Sequence, residues 1–378
     1  MSAILKRNLA ILAAFLVLDT LVCYFLFPGF FHEKVPLTEV LAPSPTPAEA
    51  PVTPPPESWT LRTESAEEIL ALAAIPSLKR IDAHGSTEYD ALLTLRERLP
   101  DCEILWTYPY GGKSYPSDTT TLTATTLTGL EDAIRYLPEL ETVDLRGVEA
   151  GVADLDRLDA VRPGLFFDWE FDFAGARIRT DIAVFSTLRS GFNYRYTDED
   201  LYPLLKYCRR LRALDLGFNA VTDLTLIGEL RELEVLILAG NPITDASPLG
   251  NLEKLTHLEL QRCPKIRSMH FLKKLSRIRE LNCCYDQACI NLDFLENMPD
   301  FSFGMFKFTD VDSDDFYAWV DRFPDATIII WGSEDATDSG WQTTPRNHAI
   351  RHAFAEWRHI TAYRGVGDAD YDMYRYVY

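Results

Sequence analysis

Basic residues are scarce in this chain. Its 378 residues include 37 Lys and Arg against 57 Asp and Glu, a net charge of −20. That surplus repels phosphate backbones and anionic lipid heads, which argues against nucleic acid or a membrane surface as a ligand of the folded part and favours a basic or neutral partner. Catalytic signatures are missing too. The sequence has no H-E-x-x-H, no G-x-S-x-G and no nucleophile with an evident paired base, so neither an enzyme nor a cofactor is expected. Gly111-Gly112-Lys113-Ser114 looks like the end of a phosphate loop. Thr107 stands where the first glycine is required, however, and a tight turn between strands is the better reading.

A signal-peptidase site is also lacking after the one long apolar run. From Leu9 to Phe27 only Asp19 and Thr20 interrupt the apolar residues, about the 20 needed to cross a bilayer as a helix. Phe27, Pro28, Gly29, Phe30 and Phe31 follow where small residues would permit cleavage, and the nearest A-x-A, Ala48 to Ala50, is distant and followed by Pro51. Val22 and Thr20 do not suit a lipoprotein site at Cys23. Lys6 and Arg7 precede the run, so the positive-inside rule keeps residues 1–7 cytoplasmic. Residues 8–31 then form a single-pass signal anchor at the cell membrane, with the remainder extracytoplasmic. Asp19 is read as tolerated within the span through tilt or a helix partner. Residues 32–58 are a proline-rich stalk, with eight prolines between Pro36 and Pro56. Extended at about 3.1 Å per residue, those 21 positions reach up to about 65 Å, enough to carry a domain through a cell wall.

Beyond Trp59 the composition is that of a globular protein, and its organising feature is repetition. Residues 211–219 read LRALDLGFN, 233–241 LEVLILAGN and 255–263 LTHLELQRC, placing Leu214, Leu236 and Leu258 every 22 residues. A weaker copy follows one residue later, with Ile278, Leu281, Cys283 and Asp286. In this spacing Leu214 and Leu216 alternate inward on a short strand, Asn219 turns the chain, Val221, Ile243 and Ile266 point back into the core, and Leu230, Leu252 and Leu275 close each coil. No single coil buries its own apolar side, so coils must stack.

These motifs, over residues 205–298, resemble the 22-residue repeats of bacterial leucine-rich-repeat surface proteins of the internalin type. The resemblance implies an α/β solenoid with a parallel β-sheet on the concave face and short helices, 3-10 turns and loops on the convex face. It also implies a bacterial source, protein binding on the concave face and no catalysis.

The flanks read as irregular coils. Residues 81–122 align with 143–184 at an offset of 62, matching Ile81 with Val143, Asp82 with Asp144, Gly85 with Gly147 and Leu105 with Phe167. Residues 99–106 recur, with one residue added, at 323–331. Residues 59–204 are therefore assigned to irregular N-terminal coils, 299–343 to irregular C-terminal coils, and 344–378 to a capping helix and a Tyr-rich tail. Ser65 and Glu68 form a capping box for a helix over 66–74. Thr344 and Pro345 open the last helix, whose apolar face of Ile350, Ala353, Phe354, Trp357 and Ile360 suits closure of the final coil.

In this register Cys102, Cys208, Cys283 and Cys289 fill inward apolar positions and Cys263 replaces the turn Asn, so buried free thiols are expected. Cys284 is expected on the open concave face. Disulfides among these six remain an alternative, as in other exported chains.

The outward strand positions give the candidate binding site: Asp215, then Val235, Ile237 and Ala239, then His257, Glu259 and Gln261, then Glu280 and Asn282. Val235, Ile237 and Ala239 make an apolar rung between polar ones, the pattern of an interface centre with a polar rim. A protein is the expected partner and wall polymer the alternative, with self-association a structural rival. No metal is assigned. Asp310, Asp312, Asp314 and Asp321 have EF-hand-like spacing, but Asp315 replaces the required glycine and a helix with an acidic N-terminus fits better. His348 and His352, with Glu356, share one face of the last helix and read as solvated surface. An enzyme built near Asp82, His84 and Asp144 is the remaining rival.

Overall fold

The chain divides into two units, Met1–Pro55 and Pro56–Tyr378. The computed structural model describes residues 56–62, 64–173, 176–187, 195–332, 341 and 344–364, all within the second unit. The segments read as the anchor, most of the stalk and the Tyr-rich tail lie outside the described residues. Among the described residues no helix is long and apolar enough to cross a membrane.

The N-terminal part consists of two blocks built to one plan. In the first, β1 (Ser58–Thr60), β2 (Arg80–Asp82) and β3 (Glu103–Leu105) form a parallel sheet. Helix α1 (Ala66–Ala71), extended by a 3-10 turn over Leu72–Ala74, and helix α2 (Tyr89–Arg98) make the crossovers. The Ser65–Glu68 capping box is present at the start of α1. An antiparallel hairpin follows, β4 (Thr107–Tyr110) with β5 (Lys113–Pro116). Its turn is Gly111-Gly112, with φ of 55° and 77°. Two successive left-handed residues are what a tight hairpin demands, which accounts for the glycine pair without any phosphate.

In the second block β6 (Thr121–Thr123), β7 (Thr142–Asp144) and β8 (Phe166–Asp168) repeat the sheet, and α3 (Leu130–Tyr136) and α4 (Val152–Val161) repeat the crossovers. The hairpin is β9 (Glu170–Phe173) with β10 (Ala176–Arg179). Each hairpin is tied down by a buried tryptophan. The backbone N–H groups of Trp106 and Trp169 donate to Ser117 Oγ and Thr180 Oγ1, and their indoles donate to the carbonyls of Tyr136 and Ala150, both at 2.9 Å. The internal alignment thus corresponds to a repeated structural block. Each hairpin follows a three-stranded sheet, and the described residues form three separate parallel sheets.

The third sheet has seven parallel strands: β11 (Val184–Ser186), β12 (Ala213–Asp215), β13 (Val235–Ile237), β14 (His257–Glu259), β15 (Glu280–Asn282), β16 (Phe303–Met305) and β17 (Thr327–Ile329). The register places Leu214, Leu236, Leu258 and Leu281 side by side, all fully buried. The next position is Gly304, where an added Cβ would fall within 2.6 Å of the Phe301 and Phe306 rings that fill the space. Opposite the sheet run helix α5 (Asp198–Leu205), four short 3-10 turns and helix α6 (Ser313–Arg322).

Asn219 and Asn241 accept the N–H groups of Tyr196 and Val221 from the preceding coil and donate back to strand carbonyls, tying coils together. One residue per coil beside this ladder takes a left-handed conformation: Phe218, Gly240, Arg262, Tyr285 and Phe308. Only Gly240 does so without the steric penalty of a Cβ. Tyr285 and Phe308 offset it by stacking at 4.5 Å, and the Arg262 guanidinium lies 5.1 Å from the Tyr285 ring centre.

Cys102, Cys208, Cys263, Cys283, Cys284 and Cys289 are all buried free thiols. Cys284 departs from expectation. It is covered by Met305 and Trp341 rather than open on the concave face. The last helix is α7 (Pro345–Arg364). It packs across the concave side over β11 and β10. Ile350, Ala353 and Phe354 are buried there in the main core, while the side chains of Trp357 and Ile360 lie outside the described residues.

Candidate functional site

The concave face of β12–β15 has the composition read from the sequence and the opposite accessibility. Asp215, Val235, Ile237, Ala239, His257, Glu259, Gln261, Glu280 and Asn282 do occupy the outward strand positions, yet each is at most 3% exposed. Their expected exposure is corrected: all nine are buried, with Trp341 on His257 and with Thr344 and Arg351 reaching Glu280 and Glu259.

Charge organises the covered site. His257 sits between two carboxylates, with Nδ1 2.9 Å from Glu280 and Nε2 3.0 Å from Glu259. Gln261 donates to the other Glu259 oxygen at 2.9 Å. From above, Arg351 donates to Glu259, Thr344 to Glu280 at 3.1 Å, and Arg346 to Thr256 at 2.5 Å. Trp341 stacks on the His257 ring, centroids 5.2 Å apart and planes 30° off parallel, and meets Phe303 edge-on. At the other end Asp215 accepts from Ser186 Oγ and from the Gly217 N–H.

Protonation follows from these contacts. Burial pushes the Glu259 carboxyl up, but the Arg351 charge and the bonds from His257 and Gln261 outweigh it and bring the value down to about 2. Burial alone would lower His257. Its hydrogen bonds to Glu259 and Glu280, with their charges, leave it raised instead, so the imidazolium is favoured and presents a cation to the Trp341 face. Burial raises Asp215, outweighing the Gly217 N–H bond and the Arg351 charge that act against it.

A raised histidine value stabilises the fold fully below the ordinary histidine range, and that contribution is lost as pH rises through the raised value. The covering helix should therefore loosen on the alkaline side. Hydrogen exchange over residues 344–354, compared between the parent and His257→Gln from pH 6 to 9, is expected to show the parent's protection falling toward that of the variant. Parallel profiles would refute the assignment.

The other candidates are not assembled into sites. Asp312 caps α6, accepting from the Asp314 N–H at 2.8 Å, and Asp315 accepts from the Leu292 N–H of the previous coil. His348 and His352 are exposed on α7. Among the described residues no group of three or more His, Cys, Asp or Glu side chains is placed to hold a metal, which covers Asp310, Asp312, Asp314 and Asp321 as well as the two histidines. Asp82 and His84 pair at 2.6 Å, half exposed, whereas Asp144 lies in the second sheet with both oxygens held by Arg146.

Trp341, Thr344, Arg346 and Arg351 are the site residues that sequence reasoning missed. The available signal was the apolar stripe of α7, which called for a buried partner but did not say which.

Parallel strands at 22- and 23-residue steps, an Asn ladder and short turns on the opposite side define a leucine-rich-repeat fold. Residues 231–274 match the family model described as Leucine Rich repeats (2 copies). Among solved structures, the chain is similar to internalin InlF of Listeria monocytogenes at 16% identity, over 73% of this chain and 86% of that one, with a TM-score of 0.31. Internalin C2 of the same organism is 16% identical over 56% of this chain and 88% of that one, TM-score 0.29. A leucine-rich-repeat protein of Leptospira interrogans is 13% identical over 69% and 74%, TM-score 0.27. No curated protein matches the chain in sequence.

Proposed function

We propose that this protein is an extracytoplasmic recognition module, held to the cell membrane by residues 8–31 and lifted from it by the proline-rich stalk. In this reading it takes hold of another protein through the concave face of β12–β15 and performs no catalysis. One observation carries the reading: the face already holds a protein segment, through an ion pair, side-chain hydrogen bonds and a stacked indole. Its acids, Asp215, Glu259 and Glu280, suit a basic partner, and with a net charge of −20 they disfavour a nucleic-acid backbone.

The topology is tested by shaving intact cells with protease. A tag ahead of residue 8 is expected to survive while residues 57–378 are degraded, and the opposite pattern would overturn the orientation. Recognition is tested by partner capture from cell-envelope extract with the parent and with Ile237→Glu, folding of the variant being checked by circular dichroism. Loss of capture by the folded variant is the expected result, and equal capture would move the site off this face.

A further inference from the structure

The contact between α7 and the sheet joins an apolar part, Ile350, Ala353 and Phe354 in the main core, to a charged one. At its centre lie a cation on Glu259, a histidine sandwiched between two acids, and an indole on that histidine. Gln261 Oε1 and Asn282 Nδ2 on the sheet, and Trp341 Nε1 and Asn347 Nδ2 on the covering segment, are buried there without a hydrogen-bond partner. Each such group costs the contact free energy that a better-matched ligand would recover. The segment satisfies the charges of the face and leaves part of its hydrogen-bonding capacity unused.

We infer that Trp341 and residues 344–354 act as a self-supplied, displaceable ligand, and that the face of β12–β15 is a docking site for a protein helix bearing arginine and an aromatic residue. The inference rests on the proposed recognition role and adds to it the partner's chemistry and the means by which the empty face is kept covered. Arginine is called for by Glu259, which already binds one, and by the general negative charge. An aromatic ring is called for by His257, whose free face is the one Trp341 covers. A partner that also bonds Gln261 and Asn282 has an advantage the internal segment lacks. The internal segment has the advantage of attachment, which supplies it at an effective concentration on the order of a millimolar. Binding is therefore a competition, and residues that weaken the internal contact strengthen the external one.

The test uses the full-length chain in detergent and a fluorescently labelled synthetic peptide of residues 341–364. The parent, covered by its own copy, is expected to bind the peptide weakly. Arg351→Ala in the protein, which removes the internal ion pair and leaves Glu259 intact, is expected to tighten peptide binding about tenfold or more. Glu259→Gln added to that variant should abolish the gain, as should Arg351→Ala in the peptide. Thermal unfolding checks that each variant is folded. Hydrogen exchange of the parent gives an independent reading: residues 344–354 should open at least about tenfold more often than β13 and β14. Equal peptide binding by the parent and Arg351→Ala, or exchange of α7 in step with the strands, would overturn displacement. Partner capture through this face alongside either result would leave recognition standing, with a different partner chemistry. Peptide binding without capture would leave a self-ligand and no recognition role.

Discussion

Asp286→Asn is expected to raise the thermal midpoint by several degrees at pH 8 and by little at pH 4. Asp286 occupies the ladder position filled by Asn219 and Asn241 three and two coils earlier. Those amides accept an N–H from the coil before and donate to carbonyls, Asn241 reaching Leu216 and Leu238 at 2.8 Å. Asp286 makes the first bond, from the Cys263 N–H at 2.8 Å, but its second oxygen is buried with no partner. Burial pushes its carboxyl up to about 8 from the ordinary 3.8. The folded value thus lies above the unfolded one, so the unfolded chain sheds the proton first and stability falls as pH rises between them. At roughly 1.4 kcal/mol per unit this amounts to several kcal/mol by pH 8. Asparagine does not titrate and supplies the missing donor, a gain on the order of 3 kcal/mol at pH 8, or several degrees for a domain of this size. Thermal unfolding at the two pH values decides it. A similar gain at both would mean that packing, not protonation, is responsible, and a loss at pH 8 would refute the argument.

Glu259→Ala is expected to do the reverse on the concave face. It strands the Arg351 cation and leaves His257 with Glu280 alone, and removing one member of such a group costs up to about 3–5 kcal/mol while the contact persists. Detachment of α7 limits that cost. The expected signature is thus a rise of about a hundredfold or more in hydrogen exchange over residues 344–354, with little change in β12. Adding Arg351→Ala should restore part of the protection, with a coupling of about 1.5 kcal/mol between the two changes. Independent effects, or unchanged exchange in the single variant, would show that the ion pair does not hold the helix.

Local and repeated interactions were the legible ones. Leu214, Leu236 and Leu258 could be placed inward because each makes the same contact one coil further on, and their 22-residue spacing leaves no other face for them. The buried thiols other than Cys284 followed from that register, and the two N-terminal blocks from their offset. The hairpins were partly visible: Gly111-Gly112 marked one turn, while Trp106 and Trp169 were not recognised as their anchors. The covered face was not legible, because the bond from Arg351 to Glu259 spans 92 residues and no pattern within either element specifies the other. Outward strand residues look solvated when a coil is read alone. A histidine at 257 opposite glutamate at 280, with another glutamate at 259, is equally compatible with a wet rim and with a buried network awaiting a cation. The stripe of Ile350 and Phe354 told that α7 packs, and the end of the solenoid was the nearer but wrong destination.

Grip on another protein through β12–β15 is the proposed role. It is tested most directly by placing a photo-cross-linking amino acid at Gln261, under the covering segment, and in a second variant at Glu253, exposed beside the 3-10 turn on the opposite side. In purified protein Gln261 should cross-link to residues 341–354 of its own chain. In cell envelopes it should give an adduct with a second polypeptide while Glu253 gives none. An adduct formed from Glu253 and not from Gln261 would contradict the account.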